Sequence, residues 1–174
     1  MLISQKMNDA INVQIGNEFG ASLQYVSIAA YFDRESLPAL AAHFYTQADE
    51  ERVHAMKFVH YVVDAGGQVV IPAIPAPKHD FKSAEEAVAL SLSWEETVTK
   101  QIGGLADLAV KESDHVTKVF LDWFVTEQLE EVSSMDTLLS IVRRAGESGL
   151  LFVEEYLARQ GRLTASQPAG GAAG

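Results

Sequence analysis

The chain has 174 residues, enough for one domain with a sizeable core, and its 48% apolar and 21% charged composition excludes disordered and fibrous classes. It has no cysteine, which removes disulfides, thiolate zinc sites, iron–sulfur clusters and cysteine nucleophiles, so any metal site must use histidine and oxygen. A formal charge of -11 with only 13 Lys and Arg argues against nucleic acid and for cations as partners, and no apolar run is long enough for a membrane span. Met1 to Met7 carry none of the basic, apolar and small-residue blocks of a secretion signal, which points to the cytoplasm.

From about Ser4 to Arg34 apolar residues recur at helical spacing without a proline, which predicts one long helix. Ser36 reads as an N-cap and Pro38 as an early-turn proline of a second helix, which runs to about Asp64 and is ended by Gly66-Gly67. Gln68 to Lys82 holds Pro72, Pro75 and Pro77 and is a connector. Ser83 with Glu86 forms a capping-box pattern opening a third helix to about Lys111. Ser113 and Asp114 offer the N-cap of a fourth, which reaches Ala145 and is closed by Gly146. A short fifth helix is predicted from about Ser148 to Arg159. Residues 161–174 are a small, Gly/Ala-rich tail expected to be flexible, leaving 1–160 as the folded domain.

The fold class is therefore all-α, a four-helix bundle with helices about 40 to 45 Å long. The first two and the last two long helices form antiparallel hairpins. The connector, about 50 Å when extended, is long enough to cross the bundle and make helices two and three run the same way.

Each long helix carries a glutamate within its inward stripe. Glu18 lies among Ile11, Ile15, Tyr25 and Ala29, and Glu51 among Leu40, Phe44, Phe58 and Val62, with His54 one turn on. Glu95 lies among Val88, Leu92, Val98 and Ile102. Glu131 lies among Phe124, Met135, Leu138 and Val142, with Glu127 and Gln128 a turn earlier. Their depths match: Glu18 and Glu51 are 17 and 15 residues from the first turn, and Glu95 and Glu131 are each 18 from Ser113. Four buried carboxylates need compensating positive charge, and these stripes bring no Arg or Lys to that level. A bound cation is the most economical source of it, protonated acids in an inert scaffold being the alternative, and Glu with a single His suits iron or manganese better than copper or structural zinc. His43, His60, His79 and His115 have no such company and read as solvated or structural.

Asn17-Glu18-Phe19 with Gln24-Tyr25, then Glu50-Glu51-Arg52-Val53-His54, Trp94-Glu95, and Trp123-Phe124 with Glu127-Gln128-Leu129-Glu130-Glu131, resembles the non-haem bacterial ferritins, and most of all the actinobacterial type. The resemblance implies a ferritin-like bundle whose fifth helix lines a four-fold axis in a homo-oligomer of 24 subunits. It implies one iron held by Glu18, Glu51 and His54, with Glu51 bridging to a second held by Glu95 and Glu131. Glu50, Glu127 and Glu130 match a third, weaker iron position shared with Glu131. Gln128 and Tyr25 match supporting positions, Tyr25 being placed to hydrogen-bond a ligand carboxylate and to give up an electron.

Arg52 stands where bacterioferritins carry their haem-ligating methionine, so no haem is expected, and Glu131 stands where other di-iron oxidases repeat the histidine. The implied activity is a ferroxidase that oxidises Fe(II) with O2 or H2O2 and stores Fe(III) as a mineral. The rival is a di-iron or di-manganese oxidase or peroxidase of small oligomeric state that stores nothing. The tail is a candidate address for an encapsulating shell.

Overall fold

A computed structural model describes residues 2–166, with side chains to residue 161. It is an all-α bundle: α1 (Gln5–Arg34), α2 (Pro38–Asp64), α3 (Ala84–Lys111), α4 (His115–Ala145), a single 3-10 turn (Glu147–Gly149) and α5 (Leu150–Ser166). No helix among the described residues is long and apolar enough to cross a membrane.

The helix ends show how local chemistry sets these bounds. Ser4, Ser83 and Asp114 cap α1, α3 and α4 by accepting the N–H of Met7, Glu86 and Thr117. The capping box at Ser83 is only half formed, because Glu86 accepts the N–H of Lys82 and an ion pair from Lys78. The expectation for Ser36 is corrected. It is no N-cap but the left-handed residue (φ 61°) that ends α1, with the Ser36 N–H on Asp33 O and the Leu37 N–H on Phe32 O. Ser113 (φ 56°) ends α3 the same way, and Gly66 (φ 72°) ends α2. A serine there satisfies the backbone bonds of a terminating turn that glycine would adopt without strain. The fifth helix also departs from its predicted end at Arg159 and continues to Ser166. The rest of the predicted tail, 167–174, lies outside the described residues.

Contacts between ends fix the topology. The Leu2 N–H reaches Ala65 O, so α1 and α2 are antiparallel, and Ser4 reaches Glu112, so α1 and α3 are antiparallel too. Helices α2 and α3 therefore run in one direction, and residues 65–83 cross the bundle between them. The crossover lies along one face of α1 in register with it. Asn8 and Asn12 bond the backbone of Gln68 and Val70, Gly16 meets Pro72, Gly20 meets Ile74, and Gln24 bonds both backbone groups of Lys78. These five α1 residues recur every fourth position and so share one face. A Cβ on Gly16 would come within 2.3 Å of Pro72 Cγ, so only glycine admits the strap there.

The apolar core divides in two. One cluster joins Phe32, Leu40, Phe44, Val88, Met135 and Leu138 to Val153 of α5, and the other joins Ile11, Ile15, Phe58, Val98, Ile102 and Phe124. The acidic level of all four long helices lies between them.

Candidate metal centre

Glu18, Glu51, Glu95 and Glu131 are all buried, at 1%, 2%, 1% and 6% exposure, together with His54, Gln128 and Tyr25. The hairpins bring the acids to one level as their matched distances from the turns require. No Lys or Arg side chain is buried among the described residues. Burial therefore acts on the carboxyls without a cationic partner. It pushes Glu18, Glu51 and Glu95 above the usual carboxylate range, with Glu51 raised further by Glu95, and it pushes Glu131 up to about 8.

Two sets of ligand atoms converge. Glu18, Glu51 and His54 each offer one within 4.8 Å of the others, and so do His54, Glu127 and Glu131. His54 is common to both, with Nδ1 3.5 Å from Glu51 Oε2 and Nε2 3.9 Å from Glu127 Oε1. Trp123 and Phe124 hold its ring edge-on at 5.5 and 5.9 Å. One Glu18 oxygen, Oε2, is buried without a hydrogen-bond partner. A buried, acceptor-rich group with a free oxygen beside a neutral-capable imidazole is the donor set of a hard or intermediate cation.

Glu95 behaves differently. The Tyr25 hydroxyl donates to its Oε1 and Gln128 Nε2 donates to its Oε2 at 3.0 Å, so both oxygens are occupied and the side chain is held across the centre. Glu50 and Glu130 are exposed, and Glu127 is half-buried. Glu50 accepts from Gln47 and lies with His54, Lys57, Trp123 and Glu127 around a cleft of about 310 Å³ on the α2/α4 side. Glu130 lines a separate cleft with His43 and Tyr156. Of the three outer acids, Glu127 joins a cluster of ligand atoms with His54 and Glu131, while Glu50 is close enough for its charge to act on Glu51 and Glu131.

A model of the ferritin-like domain matches residues 8–145. The chain is 45% identical to the ferritin BfrB of Mycolicibacterium smegmatis over 166 residues, 95% of this chain and 91% of that one. It is also 37% identical to the bacterial non-heme ferritin of Staphylococcus aureus, over 88% of this chain and 93% of that one. The chain belongs to the ferritin family. The solved open-pore ferritin of the archaeon Archaeoglobus fulgidus superposes with a TM-score of 0.87 at 36% identity, over 90% of this chain and 96% of that one. The relatives support a non-haem bacterial ferritin, and with it iron storage.

The sequence pattern singled out four acids that the structure buries together, with Tyr25, Gln128 and His54. It missed Gln14, which is buried and donates from Nε2 to Glu18 Oε1 at 2.9 Å. The signal was there, since Gln14 lies four residues before Glu18 on the same face, but an amide in a helix reads by default as surface.

Proposed function

We propose that this ferritin takes two Fe(II) per subunit to its central acids, oxidises them, and deposits Fe(III) as an oxyhydroxide mineral inside a hollow shell of 24 subunits. The reading is carried by one observation: four carboxylates and one histidine are buried at a single level, and no Lys or Arg among the described residues is buried with them. Glu18, Glu51 and His54 would hold one iron, and Glu51, Glu95 and Glu131 the other. Carboxylates suit both oxidation states, and Glu51 between the positions would keep the irons at the spacing of a two-metal site. Each Fe(II) gives up one electron. Dioxygen accepts two electrons and two protons to leave as hydrogen peroxide, or hydrogen peroxide accepts them to leave as two waters. The more acidic Fe(III) then hydrolyses and moves on. A shell of chains each carrying -11 would draw further cations towards it.

The test is rapid-mixing oxidation of Fe(II) by the metal-free protein, with electron microscopy of the same sample. Fast oxidation saturating at two iron per subunit in a hollow sphere is the expected result. Fast oxidation by a particle of one or two subunits would identify a non-storage oxidase, and no saturable fast phase would overturn the assignment of the centre.

A further inference from the structure

Glu18 and Glu95 are equally buried, yet their hydrogen bonding differs. Glu95 has donors on both oxygens, from Tyr25 and Gln128. Glu18 has one amide donor, Gln14, on Oε1, while its Oε2 has none, and the carboxyl also meets that of Glu51. The amide of Gln14 is itself oriented. Asn17 Nδ2 donates to Gln14 Oε1 at 3.1 Å, and this leaves only Nε2 to face Glu18. Asn17 in turn lines a groove between α1 and α3 with Leu90, Ser93, Trp94, Thr97 and Gln101.

We propose that Gln14, oriented by Asn17, is a positioning residue for the Glu18 side of the centre, holding Oε1 so that the carboxylate is fixed with Oε2 turned to the cation. The physical basis is preorganisation. A carboxylate with one oxygen held by an N–H keeps a single rotamer and a fixed direction for its other oxygen, and partners that orient ligands in this way commonly carry a 10- to 100-fold effect on metal affinity. The geometry also sets a dependence between the two amides. Asn17 acts through Gln14, since its side-chain amide donates to Gln14 and not to Glu18. The inference rests on Glu18 and Glu51 forming a cation site.

Metal-free protein is titrated with Co2+, whose visible absorption reports ligand geometry, and each added cation is read separately. In the parent, two cations per subunit are expected. In Gln14→Leu the position that includes Glu18 should weaken about tenfold and its spectrum should change, while the position that includes Glu131 should not. Gln14→Glu, which keeps the shape but sets an acceptor against Glu18, should weaken it at least as far. Asn17→Ala should show a smaller loss in the parent background and no further loss beside Gln14→Leu, a non-additivity that generalised loosening of the fold would not give. If the parent binds both cations and Gln14→Leu binds them with equal affinity and an unaltered spectrum, the positioning role is overturned and the centre stands. If the parent binds neither, the centre itself falls and the inference with it.

Discussion

Glu154 of α5 reaches back across 114 residues to accept the N–H of Leu40 in the first turn of α2, at 2.8 Å, and its other carboxylate oxygen takes the N–H of Ala39 at the same distance. The residue in the N-cap position of α2 is Leu37, which has no side-chain acceptor. The positive end of α2 is therefore closed by a negative side chain from the opposite end of the chain. Glu147 does the same for α3, accepting the N–H of Ala84 at 3.1 Å.

Glu154→Ala is expected to leave both amides uncapped and to cost about 1 to 2 kcal/mol. In a chain of this length that is a fall of roughly 2 to 8 °C in the melting temperature. Glu154→Gln keeps one acceptor oxygen and should lose less. The measurement is thermal unfolding of the metal-free protein, and an unchanged midpoint in the alanine variant would show that water replaces the carboxylate at no cost.

The four acids were legible because burial and helical period are strong local signals, and four acids at one depth leave little room for coincidence. The turns were less so. Ser36 and Ser113 look like caps because serine usually accepts at a helix start, yet here each closes the preceding helix in a left-handed conformation that only neighbouring hydrogen bonds reveal. The stripe Asn8, Asn12, Gly16, Gly20, Gln24 is also visible in the sequence, but its meaning comes from the crossover that lies on it. Glu154 was silent for the same reason: its partners are set by packing across the whole chain, which no local period encodes. Gln14 is a helical neighbour of Glu18, but an amide at that spacing reads as surface until its burial is seen.

Glu51→Ala should abolish rapid iron oxidation while the protein stays folded. Glu51 lies beside Glu18, Glu95 and His54, and it is the ligand expected to touch both irons. Its removal takes a charge out of an apolar interior where like charges crowd it, so the metal-free variant should resist denaturant as well as the parent or better. Rapid-mixing kinetics and a urea titration with chelator present check the two halves. Wild-type kinetics from a folded variant would place the chemistry elsewhere.

Glu131 gives the pH dependence a sign. Its carboxyl is pushed from the ordinary 4.5 up to about 8, chiefly by burial and then by Glu95. Between those values the folded protein holds a proton that the unfolded chain has released. The metal-free protein should therefore be most stable near the acid end of this window and lose stability as pH rises towards 8, at up to about 1.4 kcal/mol per unit for each such group. Cation binding should run the other way, since protons and cations compete for the same oxygens. Urea midpoints of metal-free protein at several pH values provide the check. Glu131→Gln should flatten the profile, and an equal slope in parent and variant would remove Glu131 as its source.

The outer acids differ among themselves in a way that can be measured. Glu127 is half-buried and offers an oxygen within 4.8 Å of ligand atoms from both His54 and Glu131, whereas Glu50 and Glu130 are exposed. An exposed carboxylate such as Glu130 gains little on binding a cation, because water screens the charge it contributes, and Glu50, whose carboxyl is raised first by partial burial, lies between the two cases. A third iron position, if these residues form one, should depend mainly on Glu127. Glu127→Ala should leave the first fast oxidation of two irons per subunit largely intact, change the iron-to-oxygen stoichiometry, and slow later turnovers severalfold. The double variant Glu50→Ala with Glu130→Ala should do the same more weakly. Oxygen consumption through successive iron additions separates the cases. Glu127→Ala and the double variant both matching the parent over several additions would leave no third position to assign. A double variant more impaired than Glu127→Ala would mean that the exposed acids, and not the half-buried one, carry it.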